Sequence, residues 1–339
     1  MNSQKYPEKR TYLLLTADPL HVGVGGYRLG RVDNAIVREP GTNLPKLPGS
    51  SISGAVRAYA AYAAANYDPG KVACAGQGQE TKNHGPHCGE RKKVTGDDGK
   101  PRWTDEYEFC PICYSFGYTT VEQARAGVIH FFDARIICFP VHTMHGPAWI
   151  STAELLADFG LQVAGPSDPE HVTATNPAWN GKPLNLGWLL LGVSSATTVV
   201  PTVSNIRAEL YTITHTVADA WQSGRIPAEI CNALVLVHPT IFSALVNDNL
   251  EVRTSVSIDP TTGAAEKGAL FTFEALPRGA LLACDVVEET YRKEQFAEWP
   301  ALNWKRPLDV VDTGLRMAEL LGFGGMGTRG FGRVRVLNL

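Results

Sequence analysis

A glycine-rich loop near the C-terminal end limits the possible folds more than any other segment. Gly322, Gly324 and Gly327 have the G-x-G-x-x-G spacing of a dinucleotide-binding loop. In that fold a strand precedes the glycines, and a helix and an acidic residue follow them. Here apolar residues at helical spacing (308–321) precede the glycines, and an alternating, strand-like segment (333–336) follows them. The order is reversed, so the loop is not an NAD site, although its N–H groups suit a phosphate.

The composition predicts a soluble globular protein. The chain has 339 residues, of which 44% are apolar, and no apolar run approaches the roughly 18 residues of a membrane span. The first ten residues are polar, and no apolar signal segment follows them. Seven cysteines without a secretion signal favour a reducing compartment. We therefore expect a cytoplasmic protein that does not contact a membrane.

The formal net charge of -3 argues against a surface that is basic throughout. The basic residues nevertheless form three groups in the sequence, and these groups could make one basic track for a nucleic acid. They could equally be ordinary solvated charges. The groups are Arg28, Arg31, Arg38 and Lys46; Lys82, Arg91, Lys92 and Lys93; and Arg329, Arg333 and Arg335.

Hydrophobic periodicity predicts the main elements. Residues 11–16 and 127–140 are strand-like, 184–192 is a further buried strand, and 47–66 is a helix with Ser50 or Ser51 as its N-cap. Apolar spacing indicates helices within 215–248. Alternating residues on both sides of 259–263 predict a β-hairpin over 250–276, and a helix, the glycine loop and a strand follow it.

Residues 67–127 differ in composition and are interpreted as an insertion that contains four of the seven cysteines. Cys110 and Cys113 form a C-x-x-C knuckle, and Cys74 and Cys88 precede it. Four such ligands suit tetrahedral Zn²⁺, with His84 or His87 able to replace one upstream thiol. A redox C-x-x-C would need a helix directly after the knuckle, and the sequence does not indicate one. Cys138, Cys231 and Cys284 lie in apolar runs and are predicted to be core residues.

The order strand, helix, strand, repeated around glycine loops, predicts an α+β fold of the ferredoxin-like or RRM-like type with insertions on its loops. Six segments resemble, in order, the RAMP superfamily, specifically the repeating backbone subunit of type III CRISPR effector complexes in its Cmr-type, Csm-type and type III-D forms. The segments are 21–26 (HVGVGG), 31–39 (RVDNAIVRE), 47–57 (LPGSSISGAVR), 113–117 (CYSFG), 257–271 (SIDPTTGAAEKGALF) and 322–332 (GFGGMGTRGFG).

The resemblance implies a single RAMP domain over 1–339, built as a palm with a zinc-binding insertion at 67–127 and a thumb-like hairpin insertion at 241–279. It implies a subunit that binds a guide CRISPR RNA and assembles with further copies of itself, related backbone subunits and other type III effector subunits. The hairpin would wedge into the guide–target duplex. The subunit would cut the complementary single-stranded target RNA at regular intervals.

Two groups of residues are predicted to hold the guide by its phosphates. The first lies at the start of the helix that begins near residue 48, where unpaired N–H groups favour an anion. A helix start without a ligand is the alternative. The second lies in the C-terminal glycine loop. The predicted RNA-binding residues are Lys46, Gly49, Ser50, Ser51 and Arg57, and Gly324, Gly325, Arg329 and Arg333.

Asp33 matches the position of the family's essential aspartate. Its carboxylate could hold Mg²⁺ or Mn²⁺, or accept the proton of the attacking 2'-hydroxyl. Without the resemblance, Asp33 beside Asn34 could simply cap a turn. His21 is either a functional residue, as a proton carrier or a contact to the target backbone, or a core residue. Glu274 is a candidate supporting residue or a solvent-facing strand residue. Two other functions stay open, namely an inert RNA-binding scaffold and a histidine-centred, metal-independent RAMP endoribonuclease that processes guide precursors.

Overall fold

The computed structural model describes residues 7–25, 32–76, 93–95, 99–103, 110–119, 124–202, 211–289, 296 and 298–339. The α-helices in these ranges are α1 (Gly49–Ala65), α2 (Pro111–Phe116), α3 (Ala153–Asp158), α4 (Val217–Gln222), α5 (Ala228–Asn232), α6 (Pro239–Asp248) and α7 (Pro307–Leu321). The strands are β1 (Glu8–Thr16), β2 (Lys46–Leu47), β3 (Lys93–Thr95), β4 (Pro101–Trp103), β5 (Gly117–Thr119), β6 (Ala124–Ala126), β7 (Ile129–Phe131), β8 (Ala134–Thr143), β9 (Gly146–Ser151), β10 (Leu161–Gln162), β11 (His171–Ala174), β12 (Pro183–Leu186), β13 (Leu189–Ala196), β14 (Val200–Pro201), β15 (Thr212–Thr214), β16 (Leu234–Leu236), β17 (Glu251–Ile258), β18 (Ala265–Ala275), β19 (Leu281–Glu288) and β20 (Val334–Val336).

Four strands and two helices form the predicted ferredoxin-like unit. The chain runs β1, α1, β8 and later β19, α7, β20, and the strands lie in the order β20, β1, β19, β8. Each neighbouring pair is antiparallel. This order is that of a β-α-β-β-α-β sheet, so the predicted fold class is confirmed.

Alternate residues of β1 face two different cores, as the period of a strand requires. Tyr12 and Leu14 belong to the core beneath α1 and α7, whereas Leu13 belongs to a second core on the opposite face, formed with α3, α4 and α5. Helices α1 and α7 cross closely at Gly314, where a Cβ atom would collide with the backbone of Val56. The sheet is therefore buried on both faces at β1.

One sequence-based assignment in the middle of the chain was wrong, and another was incomplete. The apolar segment 184–192 is not one strand, since β12 and β13 form an antiparallel hairpin that turns at Gly187 with φ +60°. The region 215–248 contains helices α4, α5 and α6 as predicted, but Leu234–Leu236 form the buried strand β16 between β9 and β11. A three-residue apolar run has no measurable period, so its neighbours in space decide its conformation.

Antiparallel pairing brings three loops to one edge of the unit. Leu15, near the end of β1, pairs with Leu281 at the start of β19, and Thr16 pairs with Val334 at the start of β20. The segment after β1, the hairpin before β19 and the glycine loop before β20 therefore meet there. This edge carries the candidate site.

The hairpin prediction is confirmed, since β17 and β18 pair antiparallel from Glu251–Ala275 to Ile258–Ala265. The proposed limits of the insertions, 67–127 and 241–279, stay predictions. Within the described residues, no helix is long and apolar enough to cross a membrane.

Candidate functional site

Asp33 is exposed in the segment after β1 and is held by one residue of the hairpin. The backbone N–H and the hydroxyl of Thr272 donate to Asp33 Oδ2 at 2.8 and 2.9 Å. The Asp33 N–H lies 3.0 Å from the same hydroxyl oxygen. The Thr272 N–H and then its hydroxyl lower the pKa of Asp33, because both donate to the charged form. No hydrogen bond found among the described residues uses Oδ1, which leaves that oxygen for a ligand.

Backbone pairing joins the Asp33 segment to β18. Asn34 donates its N–H to Thr272 O at 3.0 Å, and the Glu274 N–H donates to Asn34 O at 3.0 Å. Asn34 thereby forms a parallel bridge with Phe273. Asp33 is thus neither in a free loop nor in a local turn. No local pattern could predict its main partner, because Thr272 is 239 residues away in the sequence.

Glu274 is buried, so the interpretation of this residue as solvent-facing was wrong. Its side chain is 8% exposed and pairs with Arg38, whose Nη2 lies 2.7 Å from Oε1. The other carboxylate oxygen accepts the Ile36 N–H at 3.3 Å. Arg38 is also held by Asn247 of α6, 2.9 Å from Nε. Glu274 therefore anchors the segment that carries Asp33, and a direct role in catalysis stays a prediction.

His21 joins the hairpin to the glycine loop. It is 7% exposed, its Nδ1 lies 2.6 Å from Glu274 O, and its carbonyl oxygen accepts the Gly325 N–H at 2.9 Å. Gly324 has φ +77°, and a Cβ atom there would collide with His21 O. Of the two interpretations of His21, these contacts and its burial favour the core residue.

The glycine loop brings arginines to the same edge. Arg329 and Arg333 are exposed, and Arg333 pairs with Asp18, with Nε 2.5 Å from Oδ2. Arg333 lowers the pKa of Asp18, and Arg278 and Arg253 add to this effect. Arg253 pairs in turn with Glu251. Four arginines from three segments therefore contribute to a basic surface, as phosphate binding requires, and two of them also pair with carboxylates. Sequence reasoning missed Arg253, which lies in β17, and Arg278, which follows β18, because neither belongs to a group of basic residues in the sequence.

The start of α1 differs from the prediction. Its N-cap is Pro48, not Ser50 or Ser51, and the first N–H, that of Gly49, donates to Asp133 Oδ1 at 2.8 Å. Lys46 Nζ lies 2.6 Å from Asp133 Oδ2 and 2.8 Å from Glu39 Oε2. An acidic side chain therefore occupies the position predicted for a phosphate. Ser50 is exposed and Ser51 half-buried, and both remain candidates for guide binding.

Arg57 is 3% exposed, which excludes the predicted contact with a guide phosphate. Its Nε donates to Cys74 O at 2.8 Å and its Nη1 to Gly117 O at 2.6 Å. It lies on the face of α1 that is covered by the insertion. Arg57 therefore fastens the insertion to the helix.

Three of the four predicted zinc ligands lie together. The Sγ atoms of Cys74, Cys110 and Cys113 are all within 4.8 Å of one another, and all three residues are buried. Cys88, His84 and His87 lie outside the described residues. Three convergent thiols fit a structural zinc ion, which usually has four ligands.

The argument against a redox site was partly wrong, since α2 does begin directly after Cys110, which is its N-cap. The neighbouring strands β5 and β6, however, form an antiparallel hairpin rather than the parallel unit of a thioredoxin. The third thiol, that of Cys74, also suits a metal better than a disulfide. Cys138 and Cys284 are buried as predicted, and Cys231 is partly buried.

Known proteins share this architecture. A family model described as RAMP superfamily matches residues 14–335. A solved structure titled as the apo state of the type III-B Cmr-beta complex is 12% identical with a TM-score of 0.54, and the alignment covers 97% of this chain and 96% of that one. A structure of the type III-B Cmr-beta complex bound to cognate target RNA is 13% identical with a TM-score of 0.55, and the alignment covers 97% of both chains. Oligomeric Cmr4 from Pyrococcus furiosus is 16% identical with a TM-score of 0.49, and the alignment covers 96% of both chains. Among curated proteins, none matches significantly.

Proposed function

Because the chain belongs to the RAMP superfamily, we propose that it is a guide-RNA-binding backbone subunit of a type III CRISPR complex that cuts complementary target RNA. The observation that carries the proposal is the exposed Asp33 carboxylate, which two donors of Thr272 hold at the base of the hairpin. A carboxylate that serves only as a turn cap is bonded within its own turn. Asp33 is instead held by a distant strand through Oδ2, and the residue is exposed.

The partners follow from the surfaces of the site. Arg253, Arg278, Arg329 and Arg333 form a basic surface that would hold a guide RNA by its phosphates, without reading its sequence. Two solved structures with this fold belong to type III-B Cmr-beta complexes, one of them bound to cognate target RNA. We propose the same classes of partner here, namely a guide CRISPR RNA, a complementary single-stranded target RNA, other effector subunits and further copies of this chain. A cytoplasmic location stays a prediction.

Asp33 would act on the ribose next to the bond that is cut. In the proposed reaction the 2'-hydroxyl of the target attacks the adjacent phosphorus and a 2',3'-cyclic phosphate forms. The bond to the 5'-oxygen breaks, and this oxygen takes a proton from water and leaves as a 5'-hydroxyl. Oδ1 of Asp33 would accept the proton of the 2'-hydroxyl or orient that group. Bringing the attacking and leaving oxygens into line supplies much of the rate in such reactions.

A divalent cation fits this site if Asp33 and oxygen atoms of the RNA bind it together. Mg²⁺ and Mn²⁺ prefer oxygen donors, and Mg²⁺ is often held by one or two carboxylates together with substrate phosphates. Asp33 Oδ1 would provide the protein oxygen. When bound, the cation would neutralise charge on the phosphate that is attacked.

The deciding experiment uses the assembled guide complex and a labelled complementary RNA. Wild type and Asp33→Ala are compared with Mg²⁺, with Mn²⁺ and with EDTA. We expect a ladder of regularly spaced products that requires both Asp33 and the cation, with equal target binding by the two complexes. If the Asp33→Ala complex cuts as fast as wild type, the catalytic assignment is wrong.

The two alternatives give different results in that assay. An inert scaffold would bind the target tightly and produce no ladder. A guide-processing enzyme would cut precursor RNA as an isolated chain in EDTA, and its activity would depend on a histidine. The burial of His21 and the contact of its Nδ1 with a backbone carbonyl disfavour it as that histidine.

We also propose that Cys74, Cys110 and Cys113 hold a structural Zn²⁺ ion. The observation is the buried cluster of three Sγ atoms. The ion would fasten the start of the insertion (67–76) to α2 and, through Arg57, to α1. Cys88, His84 and His87 remain the candidates for a fourth ligand.

A further inference from the structure

We propose that Thr272 is the positioning residue of the cleavage site and that it ties Asp33 to the hairpin. The inference rests on the proposed function of Asp33 and adds what sets the position of its carboxylate. Three hydrogen bonds join the two residues, and all involve either the Thr272 hydroxyl or its N–H. The contact joins two segments that are far apart in the sequence but neighbours at the edge of the sheet.

The hydroxyl of Thr272 has a specific geometric role. It accepts a hydrogen bond from the Asp33 N–H and donates one to Asp33 Oδ2. One oxygen atom therefore holds both the backbone and the carboxylate of Asp33. The Thr272 N–H donates to the same Oδ2. With Oδ2 fixed by two donors, the rotation of the carboxylate is restricted, and no hydrogen bond among the described residues uses Oδ1.

The hairpin is the element that sets the position of Asp33. Thr272 lies in β18 and pairs with Thr254 of β17, and the pairing continues to Ile258 and Ala265 near the tip. On the other side of β18, Asn34 and Glu274 continue the attachment through the Asn34 O to Glu274 N–H bond. Asp33 therefore moves with the hairpin. A hairpin inserted into the RNA duplex would carry the carboxylate to a fixed place relative to the point of insertion.

Thr272→Val tests the hydroxyl. Valine keeps the shape of the side chain and the backbone N–H, but it cannot form the two hydrogen bonds that the hydroxyl makes with the N–H and Oδ2 of Asp33. Thr272→Ser restores the hydroxyl. Thr254→Val is the matched control, because Thr254 is the cross-strand partner of Thr272. Among the hydrogen bonds of the described residues, none joins Thr254 to Asp33. Urea unfolding of each variant shows whether a loss of activity comes from loss of the fold.

The first readout does not need activity. The Asp33 side-chain carboxyl is followed by carbon NMR of the full-length chain between pH 2 and 7, with Asp33→Asn to assign its signal. We expect Thr272→Val to raise the pKa of Asp33 towards that of an unbound aspartate, and Thr272→Ser and Thr254→Val to leave it as in wild type. An unchanged pKa in Thr272→Val would overturn the proposal.

The second readout is cleavage by the assembled complex under saturating target. We expect Thr272→Val to lower the cleavage rate about tenfold, the scale of one hydrogen bond to a charged group, with target binding unchanged and the rate recovered in Thr272→Ser. Equal losses in Thr272→Val and Thr254→Val would refute the positioning role. If wild type itself does not cut, the proposed function fails, and the NMR result alone decides whether Thr272 holds Asp33.

Discussion

The guanidinium of Arg38 pairs with the carboxylate of Glu274, with Nη2 2.7 Å from Oε1. This ion pair joins the segment that carries Asp33 to strand β18 of the hairpin. The side chains are 20% and 8% exposed, so water screens the pair only weakly. Glu274 also accepts the Ile36 N–H. One carboxylate thus holds the segment both by a charge and by a backbone donor.

Glu274→Ala should lower the free energy of unfolding by about 2 kcal/mol, because it removes the charged partner of a poorly hydrated guanidinium and the acceptor of the buried Ile36 N–H. Urea unfolding measures the change. Glu266→Ala is the control, since Glu266 is exposed on the same strand, and it should change stability by less than about 0.5 kcal/mol. Equal small changes in the two variants would show that the pair does not stabilise the fold.

Arg57→Ala and Arg329→Ala should have opposite consequences, although the sequence suggested a phosphate contact for both. Arg329 is exposed, so its loss should weaken guide binding and reduce the slope of log K against log salt by about 1, with stability unchanged. Arg57 is buried and donates to two carbonyls, so its loss should destabilise the chain by about 2 kcal/mol and leave the salt slope as in wild type. Filter binding at several salt concentrations and urea unfolding measure these effects. A reduced salt slope for Arg57→Ala would contradict the structural assignment.

Cys113→Ser should reduce the zinc content of the purified protein from about one ion per chain. It should also destabilise the insertion, because metal binding supplies folding free energy to segments with a small core. Elemental analysis gives the zinc content, and limited proteolysis of residues 67–127 reports on the insertion. Cys231→Ser is the matched control, as Cys231 is partly buried and outside the cluster. Wild-type protein that retains no zinc after purification in zinc-containing medium would refute the site.

Asp133→Asn should remove part of the pH dependence of stability. Burial raises the pKa of Asp133, but the Gly49 N–H and the Lys46 ammonium outweigh burial, so the pKa lies below its ordinary value. A carboxyl of this kind stabilises the fold above the unfolded pKa of about 3.9, and the contribution is lost as the pH falls through the folded pKa. We expect Asp133→Asn to lower the free energy of unfolding by about 1 kcal/mol at pH 7. This difference from wild type should become smaller below about pH 4. Urea unfolding from pH 7 to pH 2 measures it, and a difference that is independent of pH would argue against the assignment.

Local patterns were sufficient for the elements with clear periods. The helix that contains Val56, the hairpin around Asp259 and the terminal helix, glycine loop and strand were all predicted from residues close in the sequence. Short elements were not, as β16 and the turn at Gly187 show. In those cases a few apolar residues fit several conformations, and contacts with distant strands select one.

Local sequence patterns predicted the order of the elements and the ferredoxin-like unit, and they placed Asp33, the cysteines and the glycine loop in segments expected to carry function. The contacts of each side chain follow instead from the tertiary structure. It placed Thr272 against Asp33, buried Glu274 with Arg38, and turned Arg57 inwards to the cysteine cluster. The physical reason is the range of the interactions. Periodicity and caps act within a few residues, whereas burial, charge pairing and hydrogen bonds at the edge of a sheet depend on which distant strands become neighbours.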